Sequence, residues 1–82
     1  MKVMGIDQSL SKCAFVGMDS GEVKSLSLSK TGASKVKGKR KDTTYYDTLQ
    51  EQIHHICNDL RFEVEVFEPE RITFEALSFA SV

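Results

Sequence analysis

Apolar and polar positions along this chain change period twice, and each change marks an element. Lys2 to Asp7 (KVMGID) is a short apolar run closed by an acid, and Lys12 to Met18 (KCAFVGM) is a second apolar run behind a polar turn; both predict strands. Asp19-Ser20-Gly21-Glu22 supplies turn chemistry. Val23 to Leu28 then alternates with period two, Leu26 and Leu28 on one face and Ser25 and Ser27 on the other, which completes an antiparallel three-stranded meander. From Ser29 to Asp42 the chain is rich in Lys, Gly and Ser and predicts an exposed flexible loop. Tyr46, Leu49, Ile53, Ile56, Cys57 and Leu60 recur at helical spacing, with Asp42 or Thr43 as the cap and Asp47 and Glu51 suited to the positive end of the helix dipole. Phe62 to Phe67 alternates apolar residues with Glu63 and Glu65, so it reads either as an edge strand or as the end of the helix, and Pro69 terminates it. Arg71 to Glu75 (RITFE) predicts a fourth strand.

With 82 residues, 40% of them hydrophobic, the chain is expected to form one small domain, 1–82, whose limited core favours self-association. Cys13 and Cys57 form no zinc-ligand spacing and are expected to be small core residues. No apolar run has the length of a signal peptide or membrane span, so cytoplasmic residence is expected. The net charge of -1 conceals an asymmetry, because Lys30, Lys35, Lys37, Lys39, Arg40 and Lys41 fall in a stretch without acids while the rest is acidic. Basic residues 29–42 read as a solvated loop or as a phosphate-binding one; Lys35, Lys37, Lys39, Arg40 and Lys41 are the candidates for nucleic-acid contacts.

Two strands share one design, an apolar run whose last residue is a carboxylate: Gly5-Ile6-Asp7 and Thr73-Phe74-Glu75. If these strands lie parallel and adjacent, their acids sit about 5 Å apart. Carboxylates that close repel unless a cation lies between them, and hard oxygen ligands favour magnesium or manganese.

The segment from Gly5 to Val16 (GIDQSLSKCAFV) resembles the first hairpin of RuvC-like Holliday junction resolvases, in particular phage-type members, where the first catalytic aspartate closes strand one. Ile72 to Ser81 (ITFEALSFAS) resembles that family's fourth strand, which ends in the second catalytic acid. The resemblance implies an RNase H-like α/β fold, with a mixed sheet built from the antiparallel meander, one helix and a fourth parallel strand. It also implies a magnesium- or manganese-dependent crossover junction endodeoxyribonuclease that acts on branched DNA as a homodimer, with Asp7 and Glu75 as catalytic metal ligands. The family's two other carboxylates, on a C-terminal helix, have no counterpart in these 82 residues. The chain is therefore expected to be the first half of the fold, a fragment or shortened form with little or no activity alone. One helix covers one face of such a sheet, so a second copy or a partner protein is expected on the other.

A different class of function, a non-catalytic nucleic-acid- or protein-binding derivative of such a nuclease, fits the same residues. A third reading, an actin-like ATPase, meets a turn, Gln8-Ser9-Leu10-Ser11-Lys12, that lacks the glycines of a phosphate-binding hairpin. His54 and His55 are adjacent on the predicted helix, point about 100° apart, and are read as surface or boundary residues. Tyr45 follows the basic loop and could stack on a base, whereas Tyr46 falls on the expected buried helix stripe. Ser9 and Ser11 are assigned to turn hydrogen bonding.

Overall fold

A computed structural model describes residues 1–74. The elements, in chain order, are β1 (Lys2–Asp7), β2 (Lys12–Asp19), β3 (Glu22–Ala33), β4 (Thr44–Tyr46), α1 (Leu49–Phe67) and β5 (Arg71–Phe74). They form a mixed α/β architecture, a five-stranded sheet of order β4-β3-β2-β1-β5 with one helix. β1, β2 and β3 pair antiparallel, as the alternation predicts, and β5 adds to β1 in parallel. Ser20 and Gly21, with φ of 54° and 82°, make the tight turn between β2 and β3, a two-residue hairpin whose positive φ values match strand twist.

The helix lies on one face. Met4, Ile6, Cys13 and Phe15 are the buried core of that face, and Ile56, Leu60, Val64 and Phe67 pack on them from α1. β3 presents hydroxyls beneath the helix: strand alternation puts Ser25, Ser27, Ser29 and Thr31 on the side of Cys13 and Phe15. Small side chains there let the layers approach closely. At Gly17 a Cβ would lie 2.8 Å from Cε1 of Phe67, so the ring occupies the space a side chain would need.

Three expectations are corrected, and the alternative left open at Phe62–Phe67 is decided for helix. The loop predicted at 29–42 begins later, because β3 continues to Ala33 with Thr31, Gly32 and Ala33 paired in parallel to Thr44, Tyr45 and Tyr46. The helix does not start from Asp42 or Thr43. Thr48 is its N-cap: Thr48 Oγ1 accepts from the Glu51 amide at 3.2 Å and donates to the Glu51 carboxylate at 2.9 Å. That Thr-x-x-Glu box outcompetes the earlier polar residues, while Tyr45 and Tyr46, aromatic and at home in strands, join the sheet. Phe62–Phe67 is helix, ending at Glu68 in the left-handed region (φ 54°) just before Pro69. The buried stripe is also rotated from the expected one, since Leu49, Ile53 and Cys57 are exposed and Gln52 is buried.

A polar chain fixes that rotation. Gln52 Nε2 donates to Thr31 Oγ1 at 3.2 Å, and Thr31 Oγ1 donates to the Leu10 carbonyl at 2.7 Å, linking α1, β3 and the turn after β1. At the far end of the helix, the Lys2 ammonium donates to the Phe67 carbonyl at 3.3 Å, a cation at the negative end of the dipole. The Glu70 amide donates to the Lys2 carbonyl at 2.8 Å and so starts β5 alongside β1.

The opposite face of the sheet carries Val3, Val16, Met18, Leu26 and Leu28. Leu26 is 66% exposed and Leu28 47%. The leucine and serine faces of β3 were legible from alternation, and the helix chose the serines.

Candidate functional site

β1 ends at Asp7, and strand alternation turns this residue to the face away from α1, opposite the buried Met4 and Ile6. Its carboxylate is exposed beside a shallow depression of about 360 Å³ lined by Gly5, Val16, Met18 and Thr73 of the same face. The neighbouring strand is β5, in parallel register Met4 to Ile72, Gly5 to Thr73 and Ile6 to Phe74. Glu75, the other expected metal ligand, lies outside the described residues. Among the described residues, no group of three or more His, Cys, Asp or Glu side chains converges to hold a metal ion. Asp7 therefore has the right donor chemistry for magnesium or manganese, as a hard and accessible oxygen ligand, but the described residues do not complete a coordination set. Asp59 belongs to α1 and is engaged by His55 at 3.1 Å.

The Cys13 thiol reports on this electrostatic setting from the other face. Burial pushes its pKa above the ordinary value of 9.0, a hydrogen bond with the Ser9 backbone works the other way, and the negative charges of Asp7 and Asp59 push it up further. Cys13 is a protonated core residue at neutral pH. Cys57, expected in the core, is exposed.

Lys35, Lys37, Lys39, Arg40 and Lys41 are all exposed. Their segment is folded back on β3 at several points. The Ser34 amide donates to the Tyr46 carbonyl at 2.8 Å and the Ser34 hydroxyl to Asp47 at 2.6 Å. The Arg40 amide donates to the Tyr45 hydroxyl at 2.7 Å, and the Lys39 ammonium stands 5.6 Å from the centre of the Tyr45 ring. Lys30 bridges to Asp42 at 2.6 Å, which holds the Asp42 carboxyl below its ordinary range. Tyr45 lies directly over Gly32, where a Cβ would meet its ring at 2.7 Å.

These contacts enclose a cleft of about 360 Å³ lined by Ser11, Lys12, Lys30, Thr31, Gly32, Val36, Arg40, Thr43 and Tyr45. Lys12 and Lys30 are direct cross-strand partners on the same face as Asp7. Asp7 pairs with Ala14, and Lys12 is two residues beyond Ala14, so the cleft begins about one strand spacing across, roughly 5 Å, and roughly 7 Å along from Asp7. Lys12 was missed as a site residue when the sequence was read by charge runs. Its signal is parity: in a meander of this register, Lys12 and Lys30 must face each other.

Sequence reading also missed a hydrogen-bonded chain from α1 to β4. The Tyr46 hydroxyl and His55 Nδ1 are 2.8 Å apart, and His55 Nε2 is 3.1 Å from Asp59. This chain positions β4, and with it Tyr45. His54 is exposed, and His55 is the boundary residue expected.

No known protein-family model, curated protein or solved structure matches the chain. No helix among the described residues is long and apolar enough to cross a membrane.

Proposed function

We propose that the chain is the first half of an RNase H-like domain of the RuvC resolvase type, which binds branched DNA and takes part in its metal-dependent cleavage. One observation carries this reading: β5 adds in parallel to β1 with Ile6 opposite Phe74, and an acid follows each of these residues in the sequence. The order β4-β3-β2-β1-β5, with α1 connecting the two edges, supports it, because it contains the expected meander and parallel addition. In this proposal Asp7 and Glu75 are the residues that hold magnesium or manganese, and the bound metal would supply charge neutralisation at the scissile phosphate. Asp7 would act as an oxygen ligand from a rigid strand end, while Lys35, Lys37, Lys39, Arg40 and Lys41 hold the DNA backbone.

Two carboxylates alone leave a metal pair under-coordinated, and residues 76–82 contain no further acid. The proposal therefore has this 82-residue chain bind junction DNA without cleaving it unaided. It also has the exposed Leu26 and Leu28 face covered in the assembled protein, by a second copy of the chain or by a partner protein. The alternative is a non-catalytic binding protein derived from such a nuclease, which the exposed Lys35, Lys37, Lys39, Arg40 and Lys41 support without any metal chemistry.

A gel-shift comparison of a four-way DNA junction with duplex of equal length tests the common part of both readings. Preference for the junction, with no strand cleavage in magnesium, is expected. Equal binding of both, or none, contradicts the resolvase ancestry.

A further inference from the structure

The cleft between the ends of β2 and β3 and the folded-back basic segment has three cationic residues in its lining, Lys12, Lys30 and Arg40. Lys12 and Lys30 stand opposite each other across the strand pair, an arrangement that costs stability through like-charge repulsion. Asp42 relieves only one of them, since it bridges Lys30, and among the described residues no acid forms an ion pair with Lys12. Arg40 is the third cationic residue of the lining. Its position is set through the backbone, because its amide is held by the Tyr45 hydroxyl, and Tyr45 in turn needs the bare surface of Gly32. Ser11 also lines the cleft. Three cationic residues lining a cleft of about 360 Å³ suit an anion with several acceptor oxygens better than a single carboxylate.

We propose that this cleft seats one backbone phosphate of a nucleic-acid strand, with Lys12 and Arg40 as its principal contacts and Lys30 as a shared one. A strand, rather than a free anion, is indicated by what flanks the cleft. Tyr45 lines the cleft with the Lys39 ammonium 5.6 Å from its ring centre, and Lys37 and Lys41 are exposed on the same segment. Exposed cations on that segment are available to the adjoining phosphates of a strand, which a free anion would not use. The assignment rests on the nucleic-acid reading for the identity of its ligand, and on the cleft's own geometry for its location.

The test is fluorescence anisotropy of a labelled oligothymidylate with the full chain in EDTA across a range of salt. Working without metal and without a junction separates this site from the metal and junction claims. Lys12→Gln is expected to lower the slope of log affinity against log salt by about 0.7, equivalent to about fivefold weaker binding at 0.1 M salt relative to 1 M. Lys30→Gln should act in the same direction by less, and Lys24→Gln, at the other end of β3, should change nothing. Circular dichroism confirms that each variant is folded. Wild-type affinity and slope in both Lys12→Gln and Lys30→Gln would overturn the site. A parallel titration with inorganic phosphate distinguishes the ligand: displacement of the oligonucleotide by phosphate at millimolar concentrations supports the shared site. Amide shifts of Lys12 and Arg40 with phosphate but none with oligonucleotide would overturn the nucleic-acid assignment.

Discussion

Ile6 of β1 and Phe74 of β5 are partners in parallel register, and each is followed in the sequence by an acid. Parallel pairing is the less common arrangement and needs a crossover, here through α1 from the β4 edge to the β5 edge. The Glu70 amide bond to the Lys2 carbonyl sets its register at the start. Much of the functional proposal follows from that alignment.

The Gln52–Thr31–Leu10 chain is the polar pin between helix and sheet. Removing the amide by Gln52→Leu leaves Thr31 Oγ1 without its buried donor, and the expected cost is about 1–3 kcal/mol. Urea denaturation should show a lower midpoint with an unchanged slope. An equal or higher midpoint would mean that the pin contributes nothing.

Ser29 presents the opposite case. It is 1% exposed, and among the described residues its hydroxyl finds no hydrogen-bond partner. Ser29→Ala is expected to leave stability unchanged or raise it by about 1 kcal/mol, since the penalty of burying an unpaired hydroxyl disappears. A loss of more than about 1 kcal/mol in thermal or chemical denaturation would show that the hydroxyl is satisfied.

The two cysteines should separate cleanly by reactivity. Cys57 is exposed and should react with an alkylating reagent in the native protein, while Cys13 should react only on unfolding. Because the folded Cys13 pKa is raised, the unfolded chain ionises first as pH rises. Stability attributable to the neutral buried thiol is therefore complete below the unfolded pKa and is lost as pH climbs through the folded one. Rapid native modification of Cys13 near neutral pH, read by mass spectrometry, would contradict its burial.

Asp42 gives the acid-side counterpart. Its pKa is lowered first by the Lys30 hydrogen bond and then by that of Thr43, so the bridge is complete above the ordinary Asp range and is lost as pH falls through the depressed folded value. Both partners reach solvent, so the effect on global stability is small. Its expected signature is local: the Arg40 amide should exchange faster with solvent as acid breaks the bridge, once the intrinsic pH dependence is removed. Unchanged corrected exchange would show that the bridge does not hold the segment.

The meander and the final strand were legible because strand alternation and turn chemistry are local signals. Ser20-Gly21 announced its hairpin, and Leu26 and Leu28 announced a shared face. The helix boundary was missed by several residues because Asp42, Thr43 and Thr48 all have capping chemistry, and the reciprocal Glu51 contact, unweighed in the sequence, decides among them. β4 was hidden because a three-residue parallel strand has no period of its own; it exists through Gly32, which admits Tyr45, and His55, which holds Tyr46. For the site, Asp7 was legible as a strand-ending acid. Lys12 was not, because its partner is eighteen positions away and only the strand register joins them.

Paramagnetic broadening by manganese, read at backbone amides in the parent chain and in Asp7→Asn and Glu75→Gln variants, tests the shared-cation claim most directly. Broadening centred on the end of β1 that is lost in both variants is the predicted result. Broadening centred elsewhere, or persisting in Glu75→Gln as strongly as in the parent, would contradict it.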